Sequence, residues 1–128
     1  MITAGRWTTQ RCLTPPVICR WLAGYRREQK ILYEAREQVK QGIRQLLPHS
    51  KDVGVPIALE PLHPMTAADR SSLCTLRQAL DWCDELDPDG EFGLGVAVDV
   101  YHVWWDPDLA SQILRAGTAS SRFMFPTG

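Results

Sequence analysis

Two pairs of side chains in this sequence have the types and the spacing needed for chemistry at a metal ion. Glu60 ends the apolar segment VPIALE, and His63 follows it three residues later. Asp99 comes near the end of the apolar segment LGVAVDV, and His102 follows it three residues later. Carboxylate oxygens and imidazole nitrogens are ligands that proteins use for divalent cations. The pattern therefore predicts a metal or acid–base site, provided that both segments end at the same place in the fold.

Each of these residues also has an ordinary structural interpretation. A single carboxylate at the end of a strand is usually solvated, paired with Arg or part of a turn, and His63 on its own favours a structural role. Asp99, however, is followed by VYHV, which is not a turn sequence. Trp104 and Trp105 are interpreted either as walls of a sugar pocket or as core side chains. Two carboxylates with the same histidine spacing on successive segments favour a site.

Three amphipathic helices are predicted around the two apolar segments. The spacing of apolar residues predicts the first over about 28–47, ended by Pro48, and the second over about 71–86. Asp106 is expected to cap the third helix, which ends at Gly117. The buried faces of the first two helices are expected to comprise Ala35, Val39, Ile43 and Leu46 or Leu47, and Leu73, Leu76, Leu80 and Cys83.

The two apolar segments themselves are predicted strands over 55–60 and 94–100. Each is a nearly continuous apolar run, as expected of a strand with both faces covered. Because a helix separates the two strands, they are expected to run parallel, and ligands bind at the carboxyl ends of parallel strands. The sequence therefore predicts an α/β fold in which Glu60 and Asp99 lie on one rim.

The composition of the 128 residues narrows the classes of function. The chain is 45% hydrophobic and 23% charged, which is ordinary for one globular domain, and its net charge of −1 does not favour nucleic acid as a partner. No apolar run reaches the roughly 18 residues of a membrane span. The first residues lack the layout of a secretory signal, so a cytoplasmic protein with no membrane partner is expected. The four cysteines form no CxxC pair and are interpreted as small buried residues.

The segments VGVPIALEPLHPM and GLGVAVDVYHVWWDPDL, in this order and at this separation, resemble the sugar phosphate isomerase/epimerase family of xylose isomerase-like TIM barrels. The resemblance covers residues 33–117. It implies a partial (β/α)8 TIM barrel of alternating helices and parallel strands, incomplete because a full barrel has eight strands and about 250 residues. We expect a partial barrel domain over 31–117, a poorly matching segment over 1–30 and a non-native-looking tail over 118–128, with poor packing over 1–27 and over the tail.

The resemblance also implies roles for the residues of the rim. The family holds a divalent metal ion (Mn, Mg, Co or Zn) with a Glu, an Asp, a His and a second Glu from successive strands. By this resemblance Glu60 and Asp99 are metal ligands, and Glu60 is also the catalytic acid–base group. His102 is expected to contact the substrate, and His63 and Trp104 are the other two candidate substrate-binding residues. The substrate is a small-molecule sugar or sugar phosphate, converted through an enediolate. The third and fourth ligands have no counterpart, so we expect this chain to be inactive alone.

Three alternatives remain open, and no oligomeric state is predicted. They are a phosphodiesterase of the endonuclease IV branch, a dehydratase of the inosose type, and a non-catalytic remnant of a frameshifted gene. The near-neutral charge and only three histidines argue against the first. A shifted reading of codons for the tail TASSRFMFPTG gives RILAFHVSDW, which resembles the family's next strand with its ligand His. A shifted reading of ICRWLAGYRREQK gives SAGGLPGIAGSK, similar to the family's glycine-rich loop, so we hypothesise that both ends are out of frame.

Overall fold

The computed structural model describes residues 17–19, 32–66, 73–118 and 124–127, in which strands and helices alternate. The strands are β1 (Val17–Cys19), β2 (Ile57–Leu59), β3 (Gly95–Asp99) and β4 (Met124–Thr127). The helices are α1 (Leu32–Val53), α2 (Leu76–Leu86), α3 (Val100–Val103) and α4 (Leu109–Thr118), with a short 3₁₀ helix at Pro64–Thr66.

The four strands form one parallel sheet in chain order, β1-β2-β3-β4. This parallel sheet with intervening helices confirms the predicted α/β class, and consecutive units of a (β/α)8 barrel have the same arrangement. The sheet has two strands more than the sequence predicted, because β1 and β4 lie in flanks for which we expected poor packing. Val17, Ile18 and Phe125 are residue types that favour strands. Pro126 is tolerated at the outer position of β4, where one fewer ladder hydrogen bond is required.

Helix α1 passes through Pro48, so the prediction that this proline ends it is wrong. A proline inside a helix removes the hydrogen bond to the carbonyl four residues earlier, that of Arg44. The next turn is held instead by burial of Leu47 and Ser50, whose hydroxyl donates to the Leu47 carbonyl over 3.0 Å. The helix ends before Gly54, whose φ of 72° lies in the left-handed region that terminates helices.

Helices α2 and α4 both begin later than predicted. The Thr75 hydroxyl accepts the N–H of Gln78 over 3.1 Å, and the Gln78 side chain accepts the N–H of Thr75 over 3.3 Å, which together form a capping box for α2. Asp106 forms a turn ahead of α4, in which its Oδ1 accepts the N–H of Asp108 over 2.9 Å. Gly117 lies within the last turn of α4 and does not end it.

The core lies between the sheet and helices α1 and α2, and the predicted helix faces are confirmed. Of the two leucines expected as alternatives on the buried face of α1, Leu47 is the buried one: it is 2% exposed, whereas Leu46 is 38% exposed. The core includes Val39, Ile43, Leu59, Leu73, Leu76, Leu80, Cys83, Leu94, Val96 and Val98. Within the part of the chain that the structure describes, no helix combines the length and the hydropathy needed to cross a bilayer.

The turn that leads into β3 is organised by a buried carboxylate. Asp87 is 1% exposed, and its two oxygens accept the N–H groups of Phe92 over 3.2 Å and Leu94 over 3.1 Å. Gly90 and Gly93 have backbone φ values of 67° and 73°, which residues other than glycine rarely adopt. This turn fixes where β3 begins and therefore where it delivers its last residue to the rim.

Candidate metal and substrate site

Glu60 and Asp99 lie at the carboxyl ends of two adjacent parallel strands, as predicted. β2 pairs with β3 so that Leu59 lies opposite Val96, and Glu60 is the first residue after β2. Asp99 is the last residue of β3. Parallel pairing alone brings both carboxylates to the same rim, although 39 positions of sequence separate them.

The rim gathers three potential ligands for a metal ion. Glu60, Asp99 and His102 each offer one ligand atom, and these atoms lie within 4.8 Å of one another. Glu60 is 1% exposed, and the other two side chains are half-buried. Two carboxylate oxygens with one imidazole nitrogen suit Mn, Mg, Co or Zn, because a divalent cation offsets the repulsion between two nearby carboxylates. The donor set therefore fits a divalent cation.

A single helical turn after β3 carries His102 to the rim. Asp99 is the N-cap of α3, and its Oδ1 accepts the N–H of Tyr101 over 2.9 Å. The chain leaves the strand at Val100 and turns back at once, so His102 lies on the same side as Asp99. One oxygen of Asp99 is thus used by the backbone, and the second remains for a ligand.

The imidazole of His102 is contacted by the loop that follows β2. The backbone N–H of His63 donates to Nδ1 of His102 over 3.3 Å. The indole N–H of Trp105 donates to the carbonyl oxygen of His102 over 2.8 Å. The ring of Tyr101 meets the His102 ring edge to face, with centroids 5.3 Å apart. These contacts fix both the backbone and the ring of His102.

His63 lies at this rim but is not one of the three clustered ligands. Its Nδ1 accepts the N–H of Met65 over 3.1 Å, which closes a tight turn at the start of the 3₁₀ helix. Its ring meets that of Trp105 at an angle of 68° with centroids 6.0 Å apart. His63 therefore links the two loops that carry the site.

The two tryptophans after His102 have different environments. Trp104 is 67% exposed, so it is not a core side chain, whereas Trp105 is half-buried against His63. Val100 and Tyr101 are also more than half exposed, so α3 presents apolar and aromatic groups beside the carboxylates. The sequence interpreted Trp105 only as a pocket wall or a core side chain, and neither interpretation included its contacts with His102 and His63.

Cys74 and Cys83 are not among the clustered donors of this rim. Burial raises the pKa of the Cys74 thiol, although the charge of Arg36 opposes the shift. Cys83 is buried, and its thiol donates to the carbonyl oxygen of Gly95. Both behave as small core or near-core residues, which agrees with the sequence interpretation.

Comparison with known proteins extends these observations. The family model for the xylose isomerase-like TIM barrel matches residues 9–123. The solved structure of protein SMc04130 from Sinorhizobium meliloti 1021 is 55% identical over 77% of this chain, with a TM-score of 0.70. The apo structure of the 3-keto-D-glucoside 4-epimerase YcjR from E. coli is 20% identical over 88% of this chain, with a TM-score of 0.61.

The similarities cover most of this chain but less than half of each solved structure. The chain spans 34% of the Sinorhizobium protein and 42% of the epimerase. No curated protein sequence matches the chain significantly. The family match covers most of the chain, and the fold is shared with both solved structures. This chain belongs to the xylose isomerase-like TIM-barrel family.

Proposed function

We propose that this chain is part of a divalent-metal-dependent sugar isomerase or epimerase. The observation that carries the proposal is the cluster of Glu60, Asp99 and His102 at the carboxyl ends of two adjacent barrel strands. Ligands in parallel α/β folds bind at that edge, and catalytic residues of TIM barrels come from the ends of several strands. A small-molecule sugar or sugar phosphate is the substrate class, and a keto sugar is favoured because a structural neighbour is a 3-keto-D-glucoside epimerase.

Glu60 and Asp99 would hold the divalent cation. When bound, such a cation supplies Lewis acidity towards the carbonyl and hydroxyl oxygens of an open-chain sugar. Glu60 is almost completely buried, so water is excluded from the carboxylate that we propose to take and return the substrate proton. Asp99 serves as a ligand only, because its Oδ1 is already committed to the N–H of Tyr101.

The remaining residues of the rim would bind the substrate. His102 would donate a hydrogen bond to a sugar oxygen and so orient the carbon that loses its proton. The exposed face of Trp104 would cover the apolar face of the sugar. Two metal ligands, Glu60 and Asp99, are fewer than the four protein ligands of the family, so we propose that this chain alone binds metal weakly and does not turn over a sugar.

Metal binding tests the proposal. The chain is titrated with Mn²⁺ by calorimetry, alongside the variants Glu60→Gln and Asp99→Asn. Each variant should weaken binding at least about tenfold, since each removes one charged ligand of the first coordination sphere. The matched control is Glu91→Gln, an exposed carboxylate paired with Lys51 in the turn before β3, which should leave binding unchanged. Equal affinity in all four proteins would contradict the proposal.

Activity provides a separate test. The chain is incubated with Mn²⁺ and a keto sugar in deuterated water, and incorporation of deuterium beside the carbonyl is measured by NMR. We expect no incorporation above the metal-only blank. Robust metal-dependent exchange would show that the chain is active alone and would contradict the proposed inactivity, and loss of water from the sugar would favour the dehydratase alternative.

A further inference from the structure

The loops after β2 and β3 interlock at His102, although 39 residues separate His63 from His102. One loop supplies a backbone donor to the ring of His102. The other supplies the indole of Trp105, which donates to the His102 carbonyl and packs its ring against His63. The ring of His102 is therefore held by the loop after β2, and its backbone by the loop after β3.

We propose that His63 and Trp105 are positioning residues that keep the proton of the His102 imidazole on Nε2, which makes His102 a hydrogen-bond donor to substrate and not a metal ligand. This inference rests on the proposed function, because the acceptor that it serves is an oxygen of the sugar. His63 would therefore affect the substrate only through His102, without contacting the substrate itself.

The hydrogen bond to His102 determines which nitrogen of its neutral imidazole carries the proton. Such a ring has one N–H and one bare nitrogen, and a backbone N–H can only donate. The His63 N–H therefore requires the bare nitrogen at Nδ1 of His102, over the 3.3 Å that separates them. The proton is left on Nε2. A protonated nitrogen has no lone pair for a metal ion, so His102 offers the site a donor.

The conformation of the loop after β2 depends on the side chain of His63. Its Nδ1 accepts the N–H of Met65 over 3.1 Å, which holds the turn and directs its own backbone N–H towards His102. The adjoining Leu62 is tied down separately, since its N–H donates to the carbonyl of Leu73 over 2.9 Å. The donor is therefore presented by a loop that is anchored on both sides.

Trp105 holds the other side of the contact. Its indole N–H fixes the His102 carbonyl at the end of α3, and the edge of its ring supports His63. No other aromatic residue supplies both a ring of this size and an N–H that can only donate. Loss of the N–H alone should loosen His102 while the ring contact remains.

NMR of the metal-free chain labelled with ¹⁵N tests the proposal directly. At about pH 8 an ordinary imidazole is neutral, and the chain has only three histidines, of which the exposed His49 is the internal reference. We expect His102 to show a protonated Nε2, a bare Nδ1 and a coupling across the hydrogen bond to the His63 amide nitrogen. A protonated Nδ1, or a His102 ring that behaves like His49 with no such coupling, would overturn the proposal.

Two pairs of variants separate positioning from general stability. His63→Gln keeps the backbone N–H and should keep the Nε2–H form, whereas His63→Pro removes the N–H and should give the mixed forms of His49. Trp105→Phe should reduce the coupling to the His63 amide, and the neighbouring Trp104→Phe should not. If His63→Pro does not fold, the proposal is still tested by the coupling in the unaltered chain and by the comparison of Trp105→Phe with Trp104→Phe. Identical His102 signals in all of them would contradict the proposal.

Addition of Mg²⁺ distinguishes failure of this proposal from failure of the proposed function. We expect the carboxyl signals of Glu60 and Asp99 to shift while the Nε2 proton of His102 remains. Displacement of that proton by the metal would overturn the donor role and leave the metal function standing. If Mg²⁺ does not shift these carboxyl signals, but the coupling between His102 and the His63 amide is present, the result would contradict the metal function and support the positioning contact.

Discussion

Glu60 and Asp99 bring two carboxylates together at the carboxyl ends of adjacent strands, with ligand atoms within 4.8 Å of each other and of His102. Glu60 is almost completely buried, so its negative charge is poorly screened by water. Two like charges at this separation repel, and a cation between them would offset that repulsion. We therefore expect removal of one of the two charges to stabilise the metal-free chain.

The first prediction follows from this repulsion. Asp99→Asn should raise the free energy of unfolding of the metal-free chain by about 1 kcal/mol, because it removes one charge while Asn still caps α3. The same variant should lose the stabilisation that Mn²⁺ gives the unaltered chain. Urea denaturation with and without Mn²⁺ measures both effects. Asp89→Asn, an exposed change in the turn before β3, is the control, and a metal-free Asp99→Asn chain less stable than this control would contradict the argument.

Much of this rim could be predicted because it depends on local patterns. Two apolar runs that each end in a carboxylate, separated by a helix, are enough to place Glu60 and Asp99 together in a parallel sheet. The capping box of Thr75 and Gln78 was not recognised in the sequence, and the helix was therefore predicted to begin too early. The domain boundaries at 31 and 117 stay a prediction.

Other features could not be predicted, because they depend on contacts between distant segments. The His63 N–H reaches His102 only if both loops adopt particular conformations, and no residue type marks a backbone donor. Helix α1 continues through Pro48 because tertiary burial of Leu47 and Ser50 outweighs the lost hydrogen bond. Local propensity favoured a helix end at that position.

The buried carboxylate of Asp87 should be important for stability. Asp87→Ala leaves the N–H groups of Phe92 and Leu94 without their acceptors and should lower the free energy of unfolding by about 2–3 kcal/mol. Asp87→Asn keeps one acceptor oxygen and should have a smaller effect. Chemical denaturation measures the three stabilities, with Asp89→Ala in the same turn as the control. The prediction is wrong if Asp87→Ala and Asp89→Ala have equal stability.

The ion pairs between α1 and α2 give a pH-dependent prediction. Burial alone would lower the pKa of Lys40, but its hydrogen bonds with Glu85 and Glu37 outweigh burial and raise the pKa above 10.5. A raised pKa in the folded chain stabilises it fully below 10.5, and this contribution is lost as the pH rises through the higher folded value.

Glu85→Gln isolates this contribution. It should lower the free energy of unfolding by about 0.5–1 kcal/mol at neutral pH, as is usual for exposed pairs. The difference from the unaltered chain should narrow in alkali as Lys40 loses its proton, but Arg44, which also contacts Glu85 over 3.1 Å, stays charged. Denaturation curves across pH measure this difference in the free energy of unfolding, with Asp52→Asn as an exposed control on α1. A difference that widens in alkali would refute the raised pKa of Lys40.

The reading frame of the tail gives the last prediction. β4 pairs directly with β3, with Thr127 opposite Asp99, so β4 ends beside the rim that carries Asp99. The family resemblance expects a strand that bears a ligand His in that place, and the shifted reading RILAFHVSDW supplies one. Sequencing of the coding DNA should show bases after the Gly117 codon that read as RILAFHVSDW in another frame. DNA that cannot be read in this way would reject the frameshift hypothesis.

Restoration of that frame should also change metal binding. A His on the strand beside β3 would add a protein ligand to Glu60 and Asp99, so the restored chain should bind Mn²⁺ at least about tenfold more tightly. The control carries the same restoration with that His replaced by Gln, which keeps the strand and removes the ligand. If both restored chains bind Mn²⁺ equally, the strand beside β3 does not supply a ligand, and the prediction is wrong.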